Sequence, residues 1–313
     1  VFSAVVFGYS EVGYRCLQVL LDQAVRVPLL FTHEDQAGET RWFGSVADLA
    51  RSHAVRTVTP IQPAAPEWLD EIGRCAPDYI LAFYYRSMLP PPLLQLARWG
   101  ALNLHGSLLP QYRGRAPVNW AIANGETRTG ATLHYMVARP DAGPIVAQEA
   151  VAIGPNDHAL AVSMAVAGAA ARLLSAELPR MAQGPPPGRP MDLAAGSYFG
   201  ARRPEDGRIH PDWPALRVHA MIRAVAPPFP GAFLEVNGER LVFASSHLAG
   251  EKAHHPRCAP CLYALAERLF MDCQDGIRLQ IGALIVEGTA LTARTFQDRF
   301  GSEPLRLKFT ARD

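Results

Sequence analysis

Asn103, His105 and Asp141 bring an amide, an imidazole and a carboxylate that could serve one reaction together. Asn103 and His105 stand two apart at the end of the apolar run GALNLH. If that run is a strand, both side chains project to one face. Gly106 and Pro110 then force the chain out of the sheet and open a loop. An amide donor and an imidazole aimed at one point make an oxyanion-stabilising pair. Asp141 follows in the turn-forming ARPDAG, where a carboxylate would favour imidazolium and raise the histidine pKa. On that reading His105 is a cationic donor near neutral pH. An asparagine and a histidine at a strand end also occur as hydrogen-bonded structural groups, and spacing alone leaves both readings open.

The elements that must position these residues show in the hydrophobic pattern. FSAVVFG (2–8), 25–32, DYILAF (78–83) and 100–105 read as buried strands, and 11–23, 45–53 and 90–97 as helices. Strands alternating with helices predict an α/β fold with a doubly wound parallel sheet, whose ligands gather beyond the carboxyl ends of the strands. Segments 129–137 and 145–151 read as strands flanking ARPDAGP, and 158–181 as an Ala-rich helix. GPPPGRP (184–190) cannot continue a helix and marks the end of a first domain, 1–190. A linker over 191–210 and a smaller β-rich, OB-like domain over 211–313 are expected to follow, with strands near 232–236, 240–244, 277–281 and 305–309.

The first turn, GYSEVG, lacks the G-x-G-x-x-G glycines, so a dinucleotide site is disfavoured and Gly8 and Gly13 read as a tight strand-to-helix connection. A net charge of +1 excludes a general polyanion binder and disfavours a nucleic-acid partner. Five scattered cysteines do not make a disulfide framework, and no uninterrupted apolar run is long enough to span a membrane. A cytoplasmic protein is expected. HHPRCAPC (254–261) could offer two thiolates and an imidazole to zinc, but a reduced, half-buried pair is preferred and no metal is expected. His134 reads as structural, and Tyr84 and Tyr85 as wall or core. Arg202 and Arg203 could meet a nucleotide phosphate or belong to a solvated linker.

The block NLHGSLLPQYRGRAPVNWAIANGETRTGATLHYM, followed by ARPDAGPIVAQ, resembles the signature of the folate-dependent formyltransferases. Within that family the resemblance runs to the enzymes that formylate UDP-4-amino-4-deoxy-L-arabinose during lipid A modification in polymyxin resistance. FTHEDQAGETRWFGSVADLA, FYYRSML, SYFGARRPEDG and IRAVAPPFPGAF carry it, and it extends to about residue 247. It implies an N-formyltransferase with Asn103, His105 and Asp141 as its catalytic residues. It also implies 10-formyltetrahydrofolate as co-substrate, held against Ser87, Met88, Leu89, Arg115 and the turn Val137, Ala138, Arg139, Pro140 and Asp141. A nucleotide amino sugar is the implied acceptor; initiator methionyl-tRNA or another amino-sugar nucleotide are the alternatives within the family. The bifunctional relatives also carry a dehydrogenase-decarboxylase, and no second Rossmann half stands in this sequence, so that step is expected from elsewhere, or this chain is a portion of a longer protein. Oligomeric state is not readable.

Overall fold

The computed structural model describes residues 2–34 and 41–307, so part of FTHEDQAGETRWFGSVADLA and residues 308–309 of the last expected strand lie outside the described residues. Two compact units are present. The first runs through Pro117 and takes in Arg128–Ala152 and Ser163–Gly200; the second comprises Val118–Thr127, Ile153–Val162 and the chain from Ala201 on.

The first unit opens with β1 (Ala4–Gly8), α1 (Ser10–Asp22), β2 (Leu29–Phe31), α2 (Val46–Ser52) and β3 (Arg56–Val58). It continues with α3 (Pro66–Cys75), β4 (Tyr79–Phe83), α4 (Pro91–Leu94), β5 (Gly100–His105) and the short β6 (Arg113–Gly114). α5 (Pro117–Ala123) follows and belongs, beyond Pro117, to the second unit; then come β7 (Arg128–Tyr135), β8 (Ile145–Ala152), α6 (Ala159–Met181), whose first residues also belong to the second unit, and β9 (Tyr198–Phe199). The sheet order is β3-β2-β1-β4-β5-β7-β8. The first five strands are parallel, and β7 and β8 add an antiparallel hairpin beside β5. β1 and β4 are buried along their whole length, as strands covered on both faces must be, which is why they read as unbroken apolar runs. Val5, Phe7, Leu29, Phe31, Ile72, Ile80 and Leu93 form one core cluster, with Phe7 stacked on Phe31 at 4.4 Å. Truncating such a residue, Ile80→Ala for example, costs about 2–5 kcal/mol.

Several boundaries differ from the sequence pattern for identifiable reasons. β2 spans three residues rather than eight, because Pro28 lacks the N–H that a ladder needs. α4 covers one turn rather than the expected 90–97. β3 and α3 were absent from the pattern, since β3 is short and half exposed. At Gly13 a Cβ would lie 3.0 Å from the Gly8 carbonyl carbon and 3.3 Å from the Phe83 oxygen, which is the tight connection expected for GYSEVG. α6 is long and apolar enough, by length and composition alone, to cross a membrane. Among its residues Val162, Val166, Ala169, Ala170, Leu173, Leu174 and Leu178 are buried within the fold, while Arg172 and Arg180 sit on exposed ion pairs.

The second unit contains α7 (Ala215–Val225), β10 (Ala232–Val236), β11 (Glu239–Lys252), β12 (Cys261–Leu265) and β13 (Arg268–Asp272). It ends with β14 (Ile277–Val286), β15 (Thr289–Leu291), α8 (Ala293–Phe300) and β16 (Leu305–Arg306). The antiparallel order β10-β11-β14-β13-β12-β16, with β15 on β14, makes the small β-rich domain an OB-like half-barrel.

Candidate active site

β5 ends at His105, and its register places both chemical residues where the sheet runs out. It pairs with β7 so that Asn103 lies directly opposite His134 and His105 opposite Thr132. The turn after β7 brings back Asp141, held at φ +49, a left-handed conformation that a non-glycine residue rarely adopts. The asparagine, the histidine and the acid therefore converge. Asn103 Nδ2 lies 3.4 Å from Asp141 Oδ1, and His105 Nδ1 lies 3.7 Å from the same oxygen.

The surroundings orient each group. His105 Nε2 stands 2.8 Å from the Tyr112 carbonyl, which only accepts, so that nitrogen carries the proton and Nδ1 faces Asp141. The Gly114 N–H donates to Asp141 Oδ2 at 2.9 Å. Tyr112 and Ala116 also have positive φ, so the loop that supplies these backbone groups is held in sparsely populated conformations. Asn103 Nδ2 donates to His134 Nε2 at 3.1 Å, and His134 Nδ1 donates to the Tyr135 carbonyl at 2.8 Å. His134 Nε2 is also 3.6 Å from Asp141 Oδ1. The histidine read as structural thus touches both Asn103 and the acid. Its signal was available only through the β5–β7 register.

Electrostatics alters one expectation. Burial is the largest influence on His105 and pushes its pKa below the ordinary 6.5. The Asp141 carboxylate and the Tyr112 carbonyl pull it up without overcoming burial, and His134 pushes it further down. His105 is therefore neutral near pH 7, not the cationic donor that a carboxylate partner alone would give. Burial also opposes charge on Asp141, but His105, His134 and the Gly114 N–H outweigh it, and the carboxyl titrates well below the usual range. The pair rests as a carboxylate beside a neutral imidazole whose free lone pair is on Nδ1.

The residues expected to hold the co-substrate divide. Met88 and Val137 are apolar and exposed, at 59% and 41%, and Ala138 and Arg139 are exposed beside Val137. Ser87 and Pro140 are half-buried. Leu89 packs its side chain into the core cluster. Arg115 is exposed and donates to the Arg86 carbonyl at 2.6 Å, tying its loop to the segment after β4. That segment is fixed in turn by the Arg86 N–H, which donates to His33 Nε2 at 3.0 Å. All five cysteines are free thiols, and among the described residues no group of three or more His, Cys, Asp or Glu side chains stands together as a metal site. Cys261 is buried, which pushes its thiol up to about 12, and Arg306 donates to Cys258 Sγ at 3.7 Å. Arg202 stacks over Trp120 at 4.3 Å and donates to the Asp206 carbonyl.

A half-buried amide and acid and a buried imidazole thus stand together at the carboxyl end of a central parallel strand, where doubly wound sheets gather their ligands. The formyl transferase family model matches residues 6–178, and the formyl transferase C-terminal domain model matches residues 202–300. The chain belongs to the formyl transferase family, and it is a formyl-transferring enzyme. Solved structures share the fold. An N-formyltransferase from Helicobacter canadensis, determined with folinic acid and dTDP-3-aminofucose, is 18% identical with a TM-score of 0.72; the match covers 90% of this chain and 99% of that one. The sugar 3N-formyl transferase WlaRD, determined in the presence of dTDP and 5-N-formyl-THF, is 17% identical with a TM-score of 0.71, covering 92% and 98%. Phosphoribosylglycinamide formyltransferase from Bacillus halodurans is 25% identical with a TM-score of 0.50, covering 57% and 94%.

Proposed function

We propose that this enzyme transfers the formyl group of 10-formyltetrahydrofolate to the primary amine of a nucleotide-linked amino sugar, in the cytoplasm, with Asn103, His105 and Asp141 as its catalytic residues. UDP-4-amino-4-deoxy-L-arabinose, an intermediate of lipid A modification, is the first acceptor to try. The observation that carries the reading is the convergence of an amide, an imidazole and an ionised carboxylate within 3.7 Å at one strand tip. Similar folds determined with formyl folates and with dTDP or a dTDP-amino sugar support the two substrate classes. The exposed Met88 and Val137 suit the flat faces of a pterin, and Arg115 suits a folate carbonyl or carboxylate.

The neutral amine attacks the formyl carbon, its lone pair forms the new C–N bond, and the carbonyl π electrons move to oxygen. Asn103 donates to that oxyanion; one such donor is worth roughly a hundredfold to a thousandfold in turnover. His105 Nδ1, unprotonated at rest, takes the amine proton, and Asp141 stabilises the imidazolium that results. When the tetrahedral species collapses, the C–N10 bond breaks and the same proton passes to the departing folate nitrogen. Products are a formamide and tetrahydrofolate.

An acceptor panel tests the reading. Purified enzyme is given 10-formyltetrahydrofolate with UDP-4-amino-4-deoxy-L-arabinose, with dTDP-amino sugars, or with charged initiator tRNA, and formylated product is followed by mass spectrometry. Turnover on a nucleotide amino sugar is the expected result. Turnover on the tRNA alone contradicts it.

A further inference from the structure

Hydrogen-bond donors at the triad are largely engaged with one another. One hydrogen of Asn103 Nδ2 points to His134 Nε2 at 3.1 Å, and the other faces Asp141 Oδ1 at 3.4 Å. The His105 Nε2 hydrogen is held by the Tyr112 carbonyl at 2.8 Å. His105 Nδ1 faces the same ionised carboxylate at 3.7 Å. Asn103 can turn only its weakly held hydrogen, the one at 3.4 Å, to a formyl oxygen, so negative charge gathering beside that carboxylate calls for a second donor that is not already taken.

Tyr84 supplies one. It follows Phe83, the last residue of β4, and the register Phe83↔Leu104 brings it level with His105 on the neighbouring strand. Its φ is +56, so the chain turns here through a conformation that a tyrosine adopts only when its surroundings enforce it. The turn lays the phenol across Gly106, the residue after His105. A Cβ on Gly106 would overlap the Tyr84 hydroxyl oxygen and sit 2.9 Å from Cζ, so glycine is needed there to admit the ring. Among the described residues the hydroxyl has no hydrogen-bond partner, and the side chain is only partly buried. Burial foremost, with Cys16 and Asp141 nearby, pushes the phenol well above its ordinary 10, so it stays a protonated donor throughout the working range. The influence of Asp141 also marks the ring as a neighbour of the triad.

We propose that Tyr84 is a further catalytic residue, its hydroxyl donating a hydrogen bond to the formyl oxygen as the tetrahedral intermediate forms. The inference rests on the formyl-transfer reading above. The phenol keeps its proton; only the oxyanion gains a partner. The contrary role is a packing plate over Gly106, which needs the ring and not the oxygen.

Tyr84→Phe separates the two, because it removes one atom and keeps the ring. Two reactions are followed with parent and variant: formyl transfer to the amine that the parent accepts, and hydrolysis of 10-formyltetrahydrofolate without amine, which passes through the same kind of oxyanion. The expected result is a kcat lowered about tenfold or more in transfer, the same factor in hydrolysis, KM values within about twofold, and an unchanged thermal midpoint. Equal rates in parent and variant, or a change confined to KM, would overturn the proposal. If the parent ignores every nucleotide amino sugar, the acceptor reading falls, and the hydrolysis ratio still decides Tyr84.

Discussion

Asn103 and His134 face one another across two strands, and Asp141 touches both, so no member of this cluster acts alone. His134→Ala removes the acceptor that aims the Asn103 amide. Turnover is expected to fall about tenfold while the KM for the folate changes little, and steady-state kinetics on the purified variant measure the split. His105 makes the sharper residue-scale prediction. Burial holds its pKa below 6.5, and Asp141 is what pulls it upward. NMR titration of labelled histidine is therefore expected to give a midpoint below 6.5, and Asp141→Asn is expected to lower it further. A midpoint above 6.5 in the parent would mean that the carboxylate outweighs burial. Asn103, His105 and Asp141 could be singled out as candidates from chain order because their types and their local contexts, a strand end and a turn, are written in neighbouring residues. Tyr84 and His134 read as wall and structure there, because their places beside the cluster depend on a left-handed φ and a strand register, which no local pattern encodes.

Elements buried on both faces were legible for a physical reason: AVVFG and YILAF have no solvent side to require polar residues. Edge and hairpin elements were less so. RTV of β3 carries half-exposed and polar residues, and β12 and β13 went unread although Tyr263 and Met271 on them are core. α7 illustrates how a buried titratable group ties an element to pH. His219 is 1% exposed, donates from Nε2 to the Pro155 carbonyl at 2.9 Å and accepts at Nδ1 from Ser246 Oγ at 2.8 Å. Burial lowers its pKa to about 4, assisted by Arg223, His247 and His158 and opposed by the Pro155 carbonyl. The unfolded chain takes up a proton near 6.5 and the folded chain only near 4. Between those values the unfolded state binds more protons, so this contribution is fully present above 6.5 and is lost as pH falls. Urea unfolding is expected to show about 2 kcal/mol less stability from this group at about pH 5 than at about pH 7. His219→Asn should flatten that part of the dependence; an unaltered slope would assign it to other groups.

For the whole molecule, a near-neutral charge of +1 suits a small-molecule acceptor better than a polyanionic one. Tenfold salt dilution is accordingly expected to leave the kcat/KM for a nucleotide-sugar acceptor within a few-fold, where a tRNA substrate would show a steep dependence. Carbon transfer is expected to run through the strand tip, and labelled formyl groups follow it directly. Parent enzyme and His105→Ala, matched in thermal midpoint, are each given 10-formyltetrahydrofolate carrying a labelled formyl carbon together with the accepted amino sugar. Label is expected on the sugar nitrogen with the parent, and at a rate lower by about a hundredfold or more with the variant. Label arriving at a near-parental rate without the His105 imidazole would contradict it.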